Sequence, residues 1–193
     1  MKLRLLVPSL ALALTTFAAH AQIGLYLNPV VSRVSNSTPD TGPFAFLGEG
    51  GTSKIFGGVD FGGYYTFAHY PKSDVSFDMR DTLQRYSTAS FNSFLVGPRL
   101  QAKPMVYNLK PYAQLSIGVG TTKAPLSPIS ISKFQYGIYV GADKSIKKHL
   151  DWRILEVGYG SVTTISSNIF GSPTPIPNAS ILTFSTGFVF RFR

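Results

Sequence analysis

The fold class of this chain is decided by residues 182 to 192, which read Leu-Thr-Phe-Ser-Thr-Gly-Phe-Val-Phe-Arg-Phe. Even-numbered positions carry leucine or phenylalanine, apart from Thr186, and odd-numbered positions carry mostly small or polar residues. A period of two residues is typical of a β-strand whose two faces meet different surroundings. The segment therefore predicts a strand with one apolar, aromatic face and one polar face.

Seven upstream segments repeat this alternation, and clusters of Gly, Pro, Ser and Asn separate them. They span 22–33, 54–68, 73–84, 90–102, 109–122, 131–146 and 151–163. With the C-terminal segment the count is eight, and an even number is what a closed up-and-down barrel of the bacterial outer membrane requires. The phase of the first segment stays open. Pro29 and Pro98 lack the N–H that a strand ladder uses, so we expect bulges or local irregularity there.

The connections between these segments alternate in length. Those after the odd-numbered segments are 34–53, 85–89, 123–130 and 164–178, whereas those after the even-numbered segments are 69–72, 103–108 and 147–150. Outer-membrane barrels have short periplasmic turns and longer external loops. We therefore expect the odd connections outside the cell and both ends of the barrel in the periplasm. A group of basic residues then lies at the periplasmic rim, where we expect it to be solvated: Lys72, Lys103, Lys110, Lys147, Lys148 and Arg193.

Composition indicates which face of the strands points outward. A soluble barrel has the same period but an apolar interior and a charged exterior. Charged residues make up only 14% of this chain, against the roughly 25% of an ordinary globular domain, so they are too few to cover a water-facing wall. The polar face is rich in Gly, Ser, Thr, Gln and Tyr, which suits the narrow interior of an eight-stranded barrel. We therefore expect an all-β fold, a closed eight-stranded antiparallel up-and-down transmembrane β-barrel, and a soluble barrel is the alternative.

The N-terminus has the pattern of an export signal. Met1-Lys2-Leu3-Arg4 is basic, an apolar run extends from Leu5 to Ala19, and Ala19-His20-Ala21 resembles a signal peptidase site. We predict a cleaved signal peptide over 1–21 and a barrel domain over 22–193. The predicted location is the bacterial outer membrane.

Three stretches resemble a known family. They are Phe94-Leu95-Val96-Gly97-Pro98-Arg99, Lys110-Pro111-Tyr112-Ala113 and the aromatic final strand. The chain resembles, over nearly all of 22–193, the small outer-membrane β-barrel proteins of the OmpA-like and OmpX-like kind. This resemblance implies contacts with outer-membrane lipid and lipopolysaccharide, and with periplasmic chaperones and the barrel-assembly machinery during biogenesis. The family usually ends on an aromatic residue, whereas here Phe192 is penultimate and Arg193 is last.

The most function-like feature is a set of mixed charges on the polar face. Because an eight-stranded barrel is filled by its own side chains and a buried charge needs a partner, we predict a salt-bridge network that plugs the lumen. The alternative is a small porin-like channel. The candidate network consists of Asp60, Asp78, Arg80, Arg99 and Glu156.

Other functions find little support in the sequence. The chain has no cysteine, and its two mature histidines, His69 and His149, lie in short connections without a recognisable nucleophile. No metal-ligand spacing is present, and the basic residues lack the aromatic interleaving of a nucleic-acid surface. We therefore predict a non-enzymatic protein without cofactor, metal or nucleic acid. Its expected role is structural anchoring or surface interaction through loops 34–53 and 164–178, and the sequence does not identify their ligand.

Overall fold

A computed structural model describes residues 22–36, 53–87, 89–123, 130–163 and 178–192. The predicted signal peptide, 1–21, lies outside these residues. So do the larger parts of the predicted connections 34–53, 123–130 and 164–178.

Eight antiparallel strands form a closed barrel in which each strand pairs with the next and the last pairs with the first. The predicted architecture is confirmed, and the strand ends differ from the prediction by a few residues. The strands are β1 Gln22–Asn36, β2 Ser53–His69, β3 Ser73–Tyr86, β4 Ala89–Ala102, β5 Leu109–Lys123, β6 Ser130–Lys147, β7 Leu150–Thr163 and β8 Asn178–Phe192.

The strands run further than the sequence indicated toward the end of the barrel at which β1 finishes. β1 continues to Asn36 because Val34 keeps the alternation and is buried in the lumen. β3 reaches Tyr86 and β4 starts at Ala89, so the predicted connection 85–89 contracts to a tight turn. Ser87 in this turn has a φ of 53°. The structure shows which face of β1 lines the lumen, a point that the sequence left open. The inward residues are Tyr26, Asn28, Val30, Ser32 and Val34.

The two strand prolines interrupt the ladder without forming bulges. Pairing of β1 with β8 passes from Leu27–Phe188 to Val30–Ser185 in one register, and β4 with β5 passes likewise over Pro98. Proline removes a donor but adds no residue, so the strands stay in register. Of the bulges or local irregularity expected at Pro29 and Pro98, the structure therefore shows the irregularity, as a gap in the pairing, and no bulge. The register shifts lie at Phe67, Ile146 and Ile154.

The outer wall of the barrel is apolar. Outward side chains such as Leu27 and Phe188 expose 57% and 49% of their surface. A monomer in water rarely exposes a continuous apolar surface of this kind, whereas lipid requires it and a closed barrel leaves no unpaired strand edge. The outer wall therefore fits the interior of a bilayer. Within the described ranges, no helix is long and apolar enough to cross a membrane.

Candidate functional site

The lumen holds all five residues of the predicted charge network. They project inward from β2, β3, β4 and β7 because each occupies an inward position of its strand. Each is at most 2% exposed: Asp60, Asp78, Arg80, Arg99 and Glu156. Four of them join one network of ion pairs, and Asp60 is held differently.

Glu156 and Arg80 form the best-aligned ion pair of the lumen. Arg80 Nη1 donates to Glu156 Oε1 and Arg80 Nη2 donates to Glu156 Oε2, both at 2.9 Å. The same carboxylate accepts hydrogen bonds from Tyr112 Oη at 2.6 Å and from Ser185 Oγ at 3.2 Å. A bidentate arginine and two hydroxyl donors satisfy this carboxylate almost completely. Glu156 is therefore the hub of the network.

The network extends through two residues beyond the predicted five. Asp143 accepts a hydrogen bond from Arg99 Nη2 at 2.6 Å and another from Arg153 Nε at 3.1 Å. Arg153 Nη1 also lies 3.4 Å from Glu156 Oε2. Asp78 lies 3.8 Å from both Arg80 and Arg99. Arginines and carboxylates therefore alternate across the full width of the lumen.

A bulge in β7 explains why sequence reasoning missed Arg153. In a regular strand, residues three apart point to opposite faces, which would place Arg153 on the outer wall. Ile154 is an extra residue between the pairs Asp143–Arg153 and Ala142–Leu155, so Arg153 and Glu156 both face inward. The sequence carries a signal for this, because the charged positions change from odd at Asp151 and Arg153 to even at Glu156.

Asp60 is the predicted residue that no arginine contacts directly. Its carboxylate accepts hydrogen bonds from Asn28 Nδ2 at 3.2 Å and from Thr82 Oγ1 at 3.0 Å. Asp60 therefore lies beside the arginine network and is held by neutral donors.

Four tyrosine rings of the lumen lie next to the arginines, and each ring covers a glycine on the neighbouring strand. The register pairs Tyr26 with Gly62, Tyr64 with Gly24, Tyr112 with Gly141 and Tyr139 with Gly158. A glycine across the ladder gives the ring room to lie flat against the wall, since an added Cβ at any of these four glycines would come within 2.6 Å of its tyrosine.

The arginines stack on these rings. Arg80 lies 4.0 Å from the ring centre of Tyr139, Arg99 lies 3.8 Å from Tyr112, and Arg153 lies 4.4 Å from Tyr26. Such cation–π contacts add to the ion pairs when the site is desolvated.

Apolar side chains close the lumen at the end of the barrel opposite the start of β1. Phe56 and Phe91 pack edge to face there with ring centres 6.1 Å apart, within a buried apolar cluster. Its members are Val34, Phe56, Ala89, Phe91, Val162, Ala179 and Ile181. A cavity beneath it has a volume of about 10 Å³, which is room for about one water molecule. Side chains therefore occupy most of this level of the lumen. Sequence reasoning, which expected a polar interior throughout, missed this layer.

A smaller ion-pair group lies at the end of the barrel at which β1 begins. Asp151 binds Lys110 Nζ and Arg191 Nη2, each at 2.7 Å. Lys110 is only 7% exposed, so its expected place in a solvated rim was wrong. The reason is that the bulge at Ile154 turns Asp151 inward as well, where it pairs with Lys110.

The two histidines of the described residues lie at exposed positions at this same end of the barrel. His69 Nδ1 lies 2.7 Å from Asp74 Oδ1, and His149 Nδ1 lies 3.0 Å from the carbonyl oxygen of Arg191. Among the described residues, no three or more His, Asp or Glu side chains are placed to share a metal ion.

Together, an apolar outer wall, a closed eight-stranded meander and a filled polar lumen define a small outer-membrane β-barrel protein. No family model and no curated protein sequence matches the chain. Solved structures do. Ail, the attachment invasion locus protein of Yersinia pestis, in a crystal structure with the heparin analogue sucrose octasulfate, has a TM-score of 0.54 at 15% identity over 89% of this chain and 99% of its own.

Crystalline Neisserial surface protein A has a TM-score of 0.50 at 14% identity, over 87% of this chain and 97% of its own. At these identities the likeness concerns the fold. It confirms the resemblance to small outer-membrane β-barrel proteins that the sequence indicated.

Proposed function

We propose that this protein is a non-enzymatic outer-membrane anchor that presents its external connections at the cell surface. The observation that carries the proposal is the filled lumen, because a barrel closed by ion pairs and by an apolar layer offers its interior to no solute. What remains available outside the cell is the chain around 34–53 and 164–178. These segments join β1 to β2 and β7 to β8 at the end of the barrel opposite the start of β1, and the proposal assigns that end to the outside of the cell.

The composition of these connections supports an interaction role. Residues 37–52 include Phe44, Phe46 and Leu47, and residues 164–177 include Ile169 and Phe170. Large apolar side chains at a protein surface often mark contact sites. The proposed surroundings of the barrel are outer-membrane lipid and lipopolysaccharide, and its proposed partners in biogenesis are periplasmic chaperones and the barrel-assembly machinery.

The proposed orientation predicts a labelling pattern on intact cells. The chain has no cysteine, so single cysteines can be introduced as Thr41→Cys, Thr174→Cys and Lys148→Cys. We expect a membrane-impermeant maleimide to label the first two on intact cells. It should label the Lys148→Cys variant only after the outer membrane is permeabilised. Labelling of that variant alone on intact cells would reverse the orientation and remove the proposed role.

A filled lumen also predicts that the protein does not conduct ions. Purified, refolded protein in a planar bilayer should show no discrete openings above the bare-membrane background, because the ion pairs of the lumen arginines and the apolar layer lie across the path through the barrel. Regular openings of the unmodified protein would instead establish the small-channel alternative. In that case, a higher conductance of the Arg99→Ala variant would identify the gate.

A further inference from the structure

The outer wall carries one acidic side chain that the anchor role does not explain. Asp81 points outward from β3, where its neighbours across the ladder are Phe61 on β2 and Phe94 on β4. Every other outward position of β3 from Val75 to Leu83 is apolar. A carboxylate on the lipid face of a barrel is unfavourable unless something pairs with it. Across the described strands, no ion pair reaches Asp81.

A hollow in the outer wall begins at Asp81 and runs toward the periplasmic side. Its volume is about 460 Å³. The floor is low at Gly63, which has no side chain and pairs with Leu25 on one side and Met79 on the other. The Leu25 side chain leans over this glycine from its side, since an added Cβ at Gly63 would lie 2.9 Å from Leu25 Cδ2. The walls are apolar and consist mainly of Ile23, Leu25, Phe61, Tyr65, Phe77, Met79 and Phe94.

The polarity of this groove matches one kind of occupant. Asp81 lies nearer the external end of β3, and the apolar part extends from it toward the middle of the wall, along Met79 and Phe77. An external-leaflet lipid has the same order, with its headgroup outward and its acyl chain inward. A primary ammonium is a compact cation with three donors, which suits a single carboxylate.

We propose that Asp81 and the adjacent groove form a binding site for a membrane lipid whose headgroup carries a primary ammonium. The carboxylate binds the ammonium, and an acyl chain fills the hollow over Gly63. The site requires that the outer wall faces lipid, and it is independent of what the external connections bind.

The test is a titration of the full-length mature protein in phosphocholine micelles, followed by amide NMR shifts around Gly62 and Gly63. The probes are short-chain phosphatidylethanolamine and the matching phosphatidylcholine, which lacks ammonium protons. We expect saturable shifts with phosphatidylethanolamine and an affinity at least about tenfold lower for phosphatidylcholine, since a hydrogen bond to a charged group contributes that much or more. Equal binding of the two lipids would overturn the proposal, because the groove would then hold only ordinary boundary lipid.

Variants separate the headgroup from the acyl chain. Asp81→Asn should reduce the affinity for phosphatidylethanolamine to that for phosphatidylcholine. Met79→Trp should weaken the binding of both lipids, because the larger side chain fills the hollow. Matched controls are Asp74→Asn, an acid-to-amide change at the periplasmic end, and Val140→Trp, an outward change on β6, and both should leave binding unchanged.

Sedimentation equilibrium in the same micelles tests whether a second copy of the chain occupies the groove instead of a lipid. A dimer that dissociates in Asp81→Asn would contradict the lipid site, whereas failure of the anchor role would appear in the labelling and conductance experiments.

Discussion

Replacement of Glu156 by alanine is expected to lower the free energy of unfolding by about 3–5 kcal/mol, the range measured when one partner of a buried ion pair is removed. The change leaves Arg80 without its bidentate partner and removes the acceptor of the Tyr112 hydroxyl. Arg153 also loses a nearby carboxylate. Urea unfolding of the barrel in lipid vesicles, followed by the fluorescence of Trp152, measures the difference.

A matched variant shows whether burial is responsible. Asp74→Asn removes the acidic partner of Lys103 and His69, which lie partly exposed near the start of β3, and a pair of this kind contributes at most about 1 kcal/mol. The double variant Arg80→Met, Glu156→Met should recover part of the loss, because Arg80 is then no longer buried without its partner. A Glu156→Ala variant as stable as Asp74→Asn would contradict the network.

Alanine at Gly158 is expected to destabilise the barrel by about 3 kcal/mol, at the upper end of the usual effect of overpacking a core. An added Cβ would lie 2.4 Å from two ring carbons of Tyr139. The ring cannot move away easily, because the guanidinium of Arg80 is stacked 4.0 Å from its centre. Equilibrium unfolding of the variant in vesicles measures this effect.

Gly57 provides the control for glycine replacement in a strand. An added Cβ there has no atom within 4 Å, so Gly57→Ala should leave stability within about 0.5 kcal/mol, as is usual for surface changes. The double variant Tyr139→Leu, Gly158→Ala lacks the ring that clashes with the added Cβ. Its loss of stability should be smaller than the sum of the losses in the two single variants. Strict additivity of the two changes would show that the ring and the glycine do not interact.

Much of the barrel could be predicted because strand alternation is a local property. Each residue's side in a strand follows from its parity, so the eight segments and their inward charges, such as Asp78 and Glu156, could be identified without tertiary information. The aromatic outer face at Phe184, Phe188 and Phe190 follows from the same rule. The Tyr–Gly pairs were also encoded, but recognising them requires the register between neighbouring strands.

The sequence by itself determined the number of strands, their approximate ends and the face of most residues, because these depend on a two-residue period and on turn-forming residues. Only the tertiary structure decided where that period breaks. The bulge at Ile154 turned Arg153 and Asp151 inward, and burial of Lys110 followed from it. Closure of the barrel decided the partners within the lumen, since it brings together side chains far apart in sequence, such as Arg80 and Glu156. It also brought together Phe56, Phe91 and Val162, whose inward positions follow from strand parity, into one apolar layer.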